Sequence, residues 1–196
     1  MPPTPDHRAP VDPSVDGLPL GPVVFSSEQI QASVSRLAAA ISADYPDGDL
    51  VVVGILPGVI FFLADLVRKM TVPVELDLMS ITRFGPPEET GGEVRIQRDV
   101  EVDIRQRPVL LVENIVDTGL TVHHLMSALI PREPAAIKVA ALLERPNRRL
   151  IRVPLTYAGF EAPEDFLVGY GLQYQGRYRQ LPFIAQLSAD ESSPNP

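Results

Sequence analysis

The chain has 196 residues, 45% hydrophobic and 21% charged, enough for one α/β domain with a substantial core. Its formal net charge of -8 argues against a nucleic-acid surface, which needs a basic patch, although backbone amides and a few cations can still hold an anion locally. With no cysteine there is no disulfide framework, thiolate metal site or cysteine nucleophile, a composition that fits a reducing cytoplasm.

Residues 1–22 carry Pro2, Pro3, Pro5, Pro10, Pro13, Pro19 and Pro22 with few large apolar side chains. They read as a disordered arm, and without an apolar core they are no signal peptide. Ser26-Ser27-Glu28 then opens a helix with a hydroxyl cap and an early acid. Ile30, Val34, Leu37, Ala38 and Ile41 fall on one face of it at helical spacing. Residues 50–56 form a β-branched strand, Pro57-Gly58 a turn, and 59–70 a helix with Phe61, Phe62, Ala64, Leu66 and Val67 mostly buried. Gly54, Pro57, Gly58 and Asp65 interrupt this apolar stretch, so no membrane span is expected. A strand over 73–81 leads into a turn-rich excursion, 83–92, too polar to bury; 94–102 is extended.

The apolar run 109–112 reads as a buried parallel strand that stops at Glu113 and Asn114. A tight turn, Asp117-Thr118-Gly119, follows, and then a helix. A strand feeding a helix N-terminus through small residues is a phosphate cradle, because unpaired N–H groups and the helix dipole both favour an anion. The turn is neither the Gly-x-x-x-x-Gly-Lys-Ser/Thr loop nor the Gly-x-Gly-x-x-Gly dinucleotide turn. Beyond it come a helix over 122–129 closed by Pro131, strands over 136–143, 153–160 and 166–169, and a polar, flexible tail, 188–196. Strands separated by helices imply right-handed crossovers and a parallel sheet, with ligands outside the carboxyl ends of the strands. Four turns lie at such ends, after Leu56, Ile81, Val112 and Leu143.

The segment Val109 to Thr121 resembles the phosphoribosyl pyrophosphate (PRPP) loop of type I phosphoribosyltransferases: apolar strand, two acidic residues, two apolar residues, Asp-Thr-Gly, one variable residue, Thr. From about Val51 to Leu187 the chain resembles hypoxanthine-guanine phosphoribosyltransferases. That likeness is carried by Val53-Gly54-Ile55-Leu56-Pro57-Gly58, by Asp99 to Ile104, by Leu142-Leu143-Glu144-Arg145-Pro146, by Tyr157 to Glu161 continuing through Phe166 to Leu172, and by Tyr178 to Pro182. The resemblance implies an α/β type I phosphoribosyltransferase fold, a mainly parallel sheet flanked by helices with a small hood, over residues 23–187. It also implies transfer of the phosphoribosyl group from PRPP to a 6-oxopurine, with release of pyrophosphate, in purine salvage. PRPP, a purine base and a nucleoside monophosphate are then the partners, Mg²⁺ the cofactor, and a homodimer or homotetramer the assembly.

Residue by residue, the resemblance makes Asp117 the general base. Glu113, Asn114, Asp117, Thr118, Gly119, Leu120 and Thr121 hold the ribose and 5′-phosphate, with Leu120 at the variable position. Glu113 also faces the metal weakly, through ribose or water. Pro57, Gly58, Arg83 and Arg179 lie on the pyrophosphate side. Ile115, Arg145, Phe166, Leu167 and Gln173 serve the purine: Phe166 stacks, Ile115 covers the other face, Arg145 reads the 6-oxo group where the family has lysine, and Leu167 reads the base edge through its backbone. The chain departs from the pattern at Asn114 and Gln173, amides in place of metal-side carboxylates, at Pro57 in the pyrophosphate loop, and at Arg83-Phe84 in place of Ser-Tyr. Fewer carboxylates imply weaker capture of Mg²⁺. Three readings stay open on the residues: an active 6-oxopurine transferase, a nucleotide- or PRPP-binding regulator without turnover, and a transferase for another base.

Overall fold

The computed structural model describes residues 20–84 and 93–188. In chain order they form β1 (Leu20–Phe25), α1 (Ser27–Asp44), β2 (Leu50–Leu56), α2 (Ile60–Lys69), β3 (Val74–Phe84), β4 (Glu93–Arg98), β5 (Pro108–Val116), α3 (Leu120–Leu129), β6 (Ala136–Glu144), β7 (Leu155–Glu161), β8 (Leu167–Val168) and β9 (Ile184–Leu187). Two compact units divide them: Gln31–Pro163, and a smaller one drawn from the residues before and after it.

The larger unit holds a six-stranded sheet of order β4-β3-β2-β5-β6-β7. Every pair is parallel except β3 with β4, the α/β arrangement expected from alternating strands and helices. The chain steps outward in one direction from β2 to β3 and in the other from β5 to β6 and β7. The switch point therefore lies between β2 and β5, where ligands of such sheets collect. Burial follows the two-residue period of the strands. Val51, Val53, Ile55, Val109, Leu111, Val139 and Ala141 line one face and join Val122, Leu125 and Leu129 of α3 in one core cluster. Leu50, Val52, Leu110, Val112, Ala140 and Leu142 are buried as well, as strands covered on both faces must be. Gly54 permits the close approach of α2: a Cβ there would lie 2.4 Å from Leu63 Cδ2.

The smaller unit is an antiparallel sheet of order β1-β9-β8 over a cluster of Leu20, Val168, Tyr178, Leu181 and Leu187. It answers to the small hood that the resemblance implies.

Several sequence expectations change. Leu20, Gly21 and Pro22, read as part of the arm, begin β1, because Leu20 pairs with Leu187 of a strand that periodicity did not reveal. Residues 1–19 and 189–196, the rest of the arm and most of the tail, lie outside the described residues, as does 85–92 of the polar excursion. Arg83 and Phe84 belong to β3, since β4 pairs with that strand to its end. β5 does not stop at Glu113 but runs to Val116, held by Ile115↔Leu143 and Val116↔Glu144 of β6. Phe61 and Ala64 on α2 are exposed, while Phe62, Leu63 and Leu66 are buried.

The stretch 99–102 leaves β4 because Asp77 of β3 takes its backbone. The Asp77 carboxylate accepts N–H bonds from Leu78 (2.7 Å), Glu101 (2.7 Å) and Val102 (3.1 Å), with Arg98 at 3.5 Å. Burial is the largest single influence on this carboxyl and pushes its pKa up. The three N–H donors and Arg98 together outweigh burial and hold it below the ordinary carboxylate value.

Candidate functional site

The turns after β2, β5 and β6 leave the same edge of the sheet, because these three strands are parallel neighbours. They carry Pro57-Gly58, Asp117 to Thr121, and Arg145 respectively.

At the end of β5 side chains alternate between half-buried and buried: Glu113 and Ile115 are half-buried, Asn114 and Val116 fully so. Glu113 Oε1 accepts the Asn114 N–H at 2.9 Å. Gly119 then turns the chain with φ +85°, a conformation that costs a side-chain-bearing residue, and occupies the N-cap of α3. No side chain caps the helix there, and Leu120 N–H reaches only Thr118 Oγ1, at 3.4 Å. The start of α3 thus presents backbone donors and the positive end of its dipole beside two threonine hydroxyls, a place suited to a phosphate.

The segment after β6 is stitched to this turn. Arg145 N–H donates to Val116 O (3.0 Å), and Leu150 and Ile151 N–H both donate to Thr118 O (3.0 and 3.1 Å). Between those points two guanidinium groups meet one carboxylate. Arg145 Nη1 lies 3.7 Å from Asp117 Oδ2, and Arg148 Nε lies 3.3 Å from Asp117 Oδ1. Arg145 is buried, and its Nε donates to Pro163 O at 2.8 Å, so its stem is anchored. Arg149 turns the other way, to Glu144 at 3.5 Å.

The Leu56–Pro57 peptide is cis, the geometry that proline makes accessible. Pro57 is exposed, and Pro57 O accepts the Ile60 N–H at 3.4 Å where α2 begins. The backbone of Arg83 lies on β3; its side chain is not among those described.

Phe166, Leu167, Gln173 and Arg179 belong to the smaller unit. Phe166 is 47% exposed, unlike a core aromatic, and meets Tyr174 edge-on at 5.6 Å between centroids. Leu167 is buried on β8, opposite Gln186 of β9. Gln173 Oε1 accepts the Gly176 N–H, so the amide closes its own turn. Arg179 donates to Gly171 O, and burial pulls its guanidinium pKa below the ordinary arginine value.

Sequence reasoning therefore placed Glu113, Asn114, Ile115, Asp117, Thr118, Gly119, Leu120, Thr121 and Arg145 in one neighbourhood of the sheet edge, and the structure brings them together there. It missed Arg148. The available signal was a basic cluster, Arg145, Arg148 and Arg149, at the carboxyl end of a buried strand, where a solvated tail of charges is unexpected.

The family model described as a phosphoribosyl transferase domain matches residues 25–175. Hypoxanthine phosphoribosyltransferase of Haemophilus influenzae is 39% identical over 172 residues, covering 86% of this chain and 96% of that protein. The solved hypoxanthine-guanine phosphoribosyltransferase of Bacillus anthracis superposes with a TM-score of 0.82 at 37% identity, covering 86% of this chain and 99% of the other. The hypoxanthine phosphoribosyltransferase of Staphylococcus aureus gives 0.85 at 34%, with 89% and 95% covered. With the turn after β5 and the parallel sheet that carries it, these likenesses establish that the chain belongs to the type I phosphoribosyltransferase family, in its hypoxanthine-guanine branch.

Proposed function

We propose that this protein transfers the 5-phosphoribosyl group of PRPP to a 6-oxopurine, hypoxanthine or guanine, in purine salvage. The observation that carries this reading is the Asp117-Thr118-Gly119 turn, which opens α3 without a side-chain cap beside the sheet's switch point. In the reaction the bond from ribose C1 to pyrophosphate breaks as a bond from a purine nitrogen to C1 forms, and the purine gives up a proton. Asp117 takes that proton. The amides at the start of α3 and the hydroxyls of Thr118 and Thr121 hold the 5′-phosphate. Glu113 and Asn114 hold the ribose hydroxyls, an ionised acceptor beside an amide. For the purine, the family resemblance assigns the 6-oxo group to Arg145, the ring faces to Phe166 and Ile115, and the base edge to the backbone of Leu167, with Gln173 in the same set. The family resemblance assigns Pro57, Gly58, Arg83 and Arg179 to the pyrophosphate.

The resemblance to this family implies Mg²⁺ as the cofactor. Among the described residues no three His, Cys, Asp or Glu side chains gather into a metal cage. With one carboxylate in Glu113 and a neutral amide in Asn114, Glu113 is the residue that would hold such an ion, weakly, through water or ribose. When bound, the ion would supply positive charge to offset that of the leaving pyrophosphate. We place the domain at residues 20–187, in the cytoplasm and in a homo-oligomer. Among the described residues no helix is long and apolar enough to cross a membrane, and exposed Ile60, Phe61 and Leu150 leave apolar surface for a second copy.

One observation favours a second reading, a nucleotide- or PRPP-binding protein without turnover: Gln173 is spent on its own turn and Asn114 carries no charge, so two metal-side positions lack a carboxylate. An endpoint assay decides between them. PRPP, Mg²⁺ and hypoxanthine, guanine, xanthine or adenine should yield a nucleotide with a 6-oxopurine and none with Asp117→Asn. No product with any base, from a protein that PRPP or nucleotide still stabilises against heat, would favour the second reading. Product with adenine alone would point to another base.

A further inference from the structure

The transferase reading gives Asp117 the proton and leaves Arg148 without a task. Yet Arg148 is where the backbone around Asp117 converges. Pro146–Arg148 form a 3-10 turn in which Arg148 N–H donates to Arg145 O at 3.2 Å. Immediately before it, Arg145 N–H binds Val116 O; beyond Arg149, Leu150 and Ile151 N–H bind Thr118 O. The residues on either side of Asp117 are thus fixed to the residues on either side of Arg148. The contact joins Arg148 Nε to Asp117 Oδ1 at 3.3 Å. Asp117 Oδ1 is buried and receives no aligned hydrogen bond, so charge rather than a directed donor holds it. The other oxygen, Oδ2, faces Arg145 at the longer distance of 3.7 Å.

A general base needs one oxygen turned to the proton and the other prevented from swinging away. The two contacts divide the carboxylate in that way. Oδ1 is the more tightly held, by a residue outside the purine-reading set, while Oδ2 faces the arginine assigned to the base's 6-oxo group. We propose that Arg148 is a positioning residue that fixes the Asp117 carboxylate through Oδ1 and leaves Oδ2 for the purine proton. The role rests on the transferase reading above. It makes no demand on phosphate binding, because the donors of the α3 cradle are backbone and threonine groups independent of Arg148.

The test compares Arg148→Gln and Arg148→Lys with wild type in steady-state assays with PRPP, Mg²⁺ and the preferred 6-oxopurine, alongside melting curves with and without PRPP. Glutamine keeps most of the stem and removes the charge. Lysine carries its charge one atom beyond the position of Nε, so it can reach Oδ1 where the arginine fork is not needed. Arg148→Gln should lower kcat by about 10- to 100-fold, less than the roughly 10²- to 10⁴-fold worth of a positioned general base because the base is displaced and not removed, with the KM for PRPP changed less than about twofold. Arg148→Lys should recover most of the lost kcat. Both variants should keep the wild-type stabilisation by PRPP. Wild-type kcat in Arg148→Gln would overturn the role while leaving the transferase reading intact. A rise in the KM for PRPP with unchanged kcat would also overturn it, marking Arg148 as a counter-charge to phosphate. So would a failure of lysine to recover activity in a variant that melts like wild type. A wild-type protein that forms no nucleotide overturns the transferase reading and this role together.

Discussion

A Cβ on Gly119 would lie 2.5 Å from the carbonyl oxygen of Ile151. The phosphate-side turn and the segment after β6 are therefore packed backbone against backbone, and that closeness adds to the left-handed φ of +85° as a reason for glycine. Gly119→Ala should destabilise the protein by about 2–4 kcal/mol, the left-handed penalty plus a forced backbone shift. Urea melts measure it, and the stabilisation conferred by PRPP should shrink in parallel because the cradle moves. A melt within about 0.5 kcal/mol of wild type, an ordinary surface effect, would show that the turn accommodates a side chain.

Asp77→Ala removes the acceptor of three backbone donors from a 5%-exposed site and should cost about 2–4 kcal/mol. The pH dependence has a definite sign. The folded pKa of Asp77 lies below its unfolded value, so its contribution is complete above the unfolded value near 4 and fades as pH falls through the folded one. The gap in stability between wild type and Asp77→Ala should thus be constant from about pH 7 to 5 and narrow below about pH 4. A gap that widened with acid would contradict the assignment.

Asn114 is 1% exposed, so a carboxylate placed there needs a counter-charge. Asn114→Asp, which restores the acid of the family pattern, should lower stability without ligand by about 1–3 kcal/mol. In return, the melting temperature should rise more steeply with PRPP and Mg²⁺ than in wild type. Equal ligand-induced shifts in the two proteins would mean that position 114 does not face the metal side.

At the outer edge of the sheet, the Tyr157 hydroxyl donates to Asp44 at 2.5 Å, and Lys138 Nζ stands 3.4 Å from the same hydroxyl. Lys138 also reaches Asp44 directly at 2.9 Å. Burial first, then the bond to Asp44, pushes the Tyr157 pKa well above its ordinary value, so the phenol stays a donor at any physiological pH. Tyr157→Phe should cost about 0.5–2 kcal/mol in thermal or urea melts and leave kcat unchanged, since β7 carries no proposed site residue. A loss of kcat without a loss of stability would tie this edge to the site.

Much of this protein was legible in one dimension. The apolar run of β5, the Asp-Thr-Gly turn and the helix behind it are local, and strand period, glycine chemistry and helix-end electrostatics act over a few neighbouring residues. The alternation of strands and helices was enough for a parallel sheet, since crossover chirality leaves few alternatives. Side-chain pattern by itself put the end of β5 at the first polar residues. Pairing with β6 carried the strand on through Ile115 and Val116, because ladder hydrogen bonds belong to the backbone and ignore side-chain polarity. β1 and β9, short strands that meet only each other and β8, have no period long enough to read and exist through pairing across most of the chain. Above all, no spacing rule joins Asp117 to Arg148: the sequence supplied both charges, and only the parallel neighbourhood of β5 and β6 brings them within 3.3 Å.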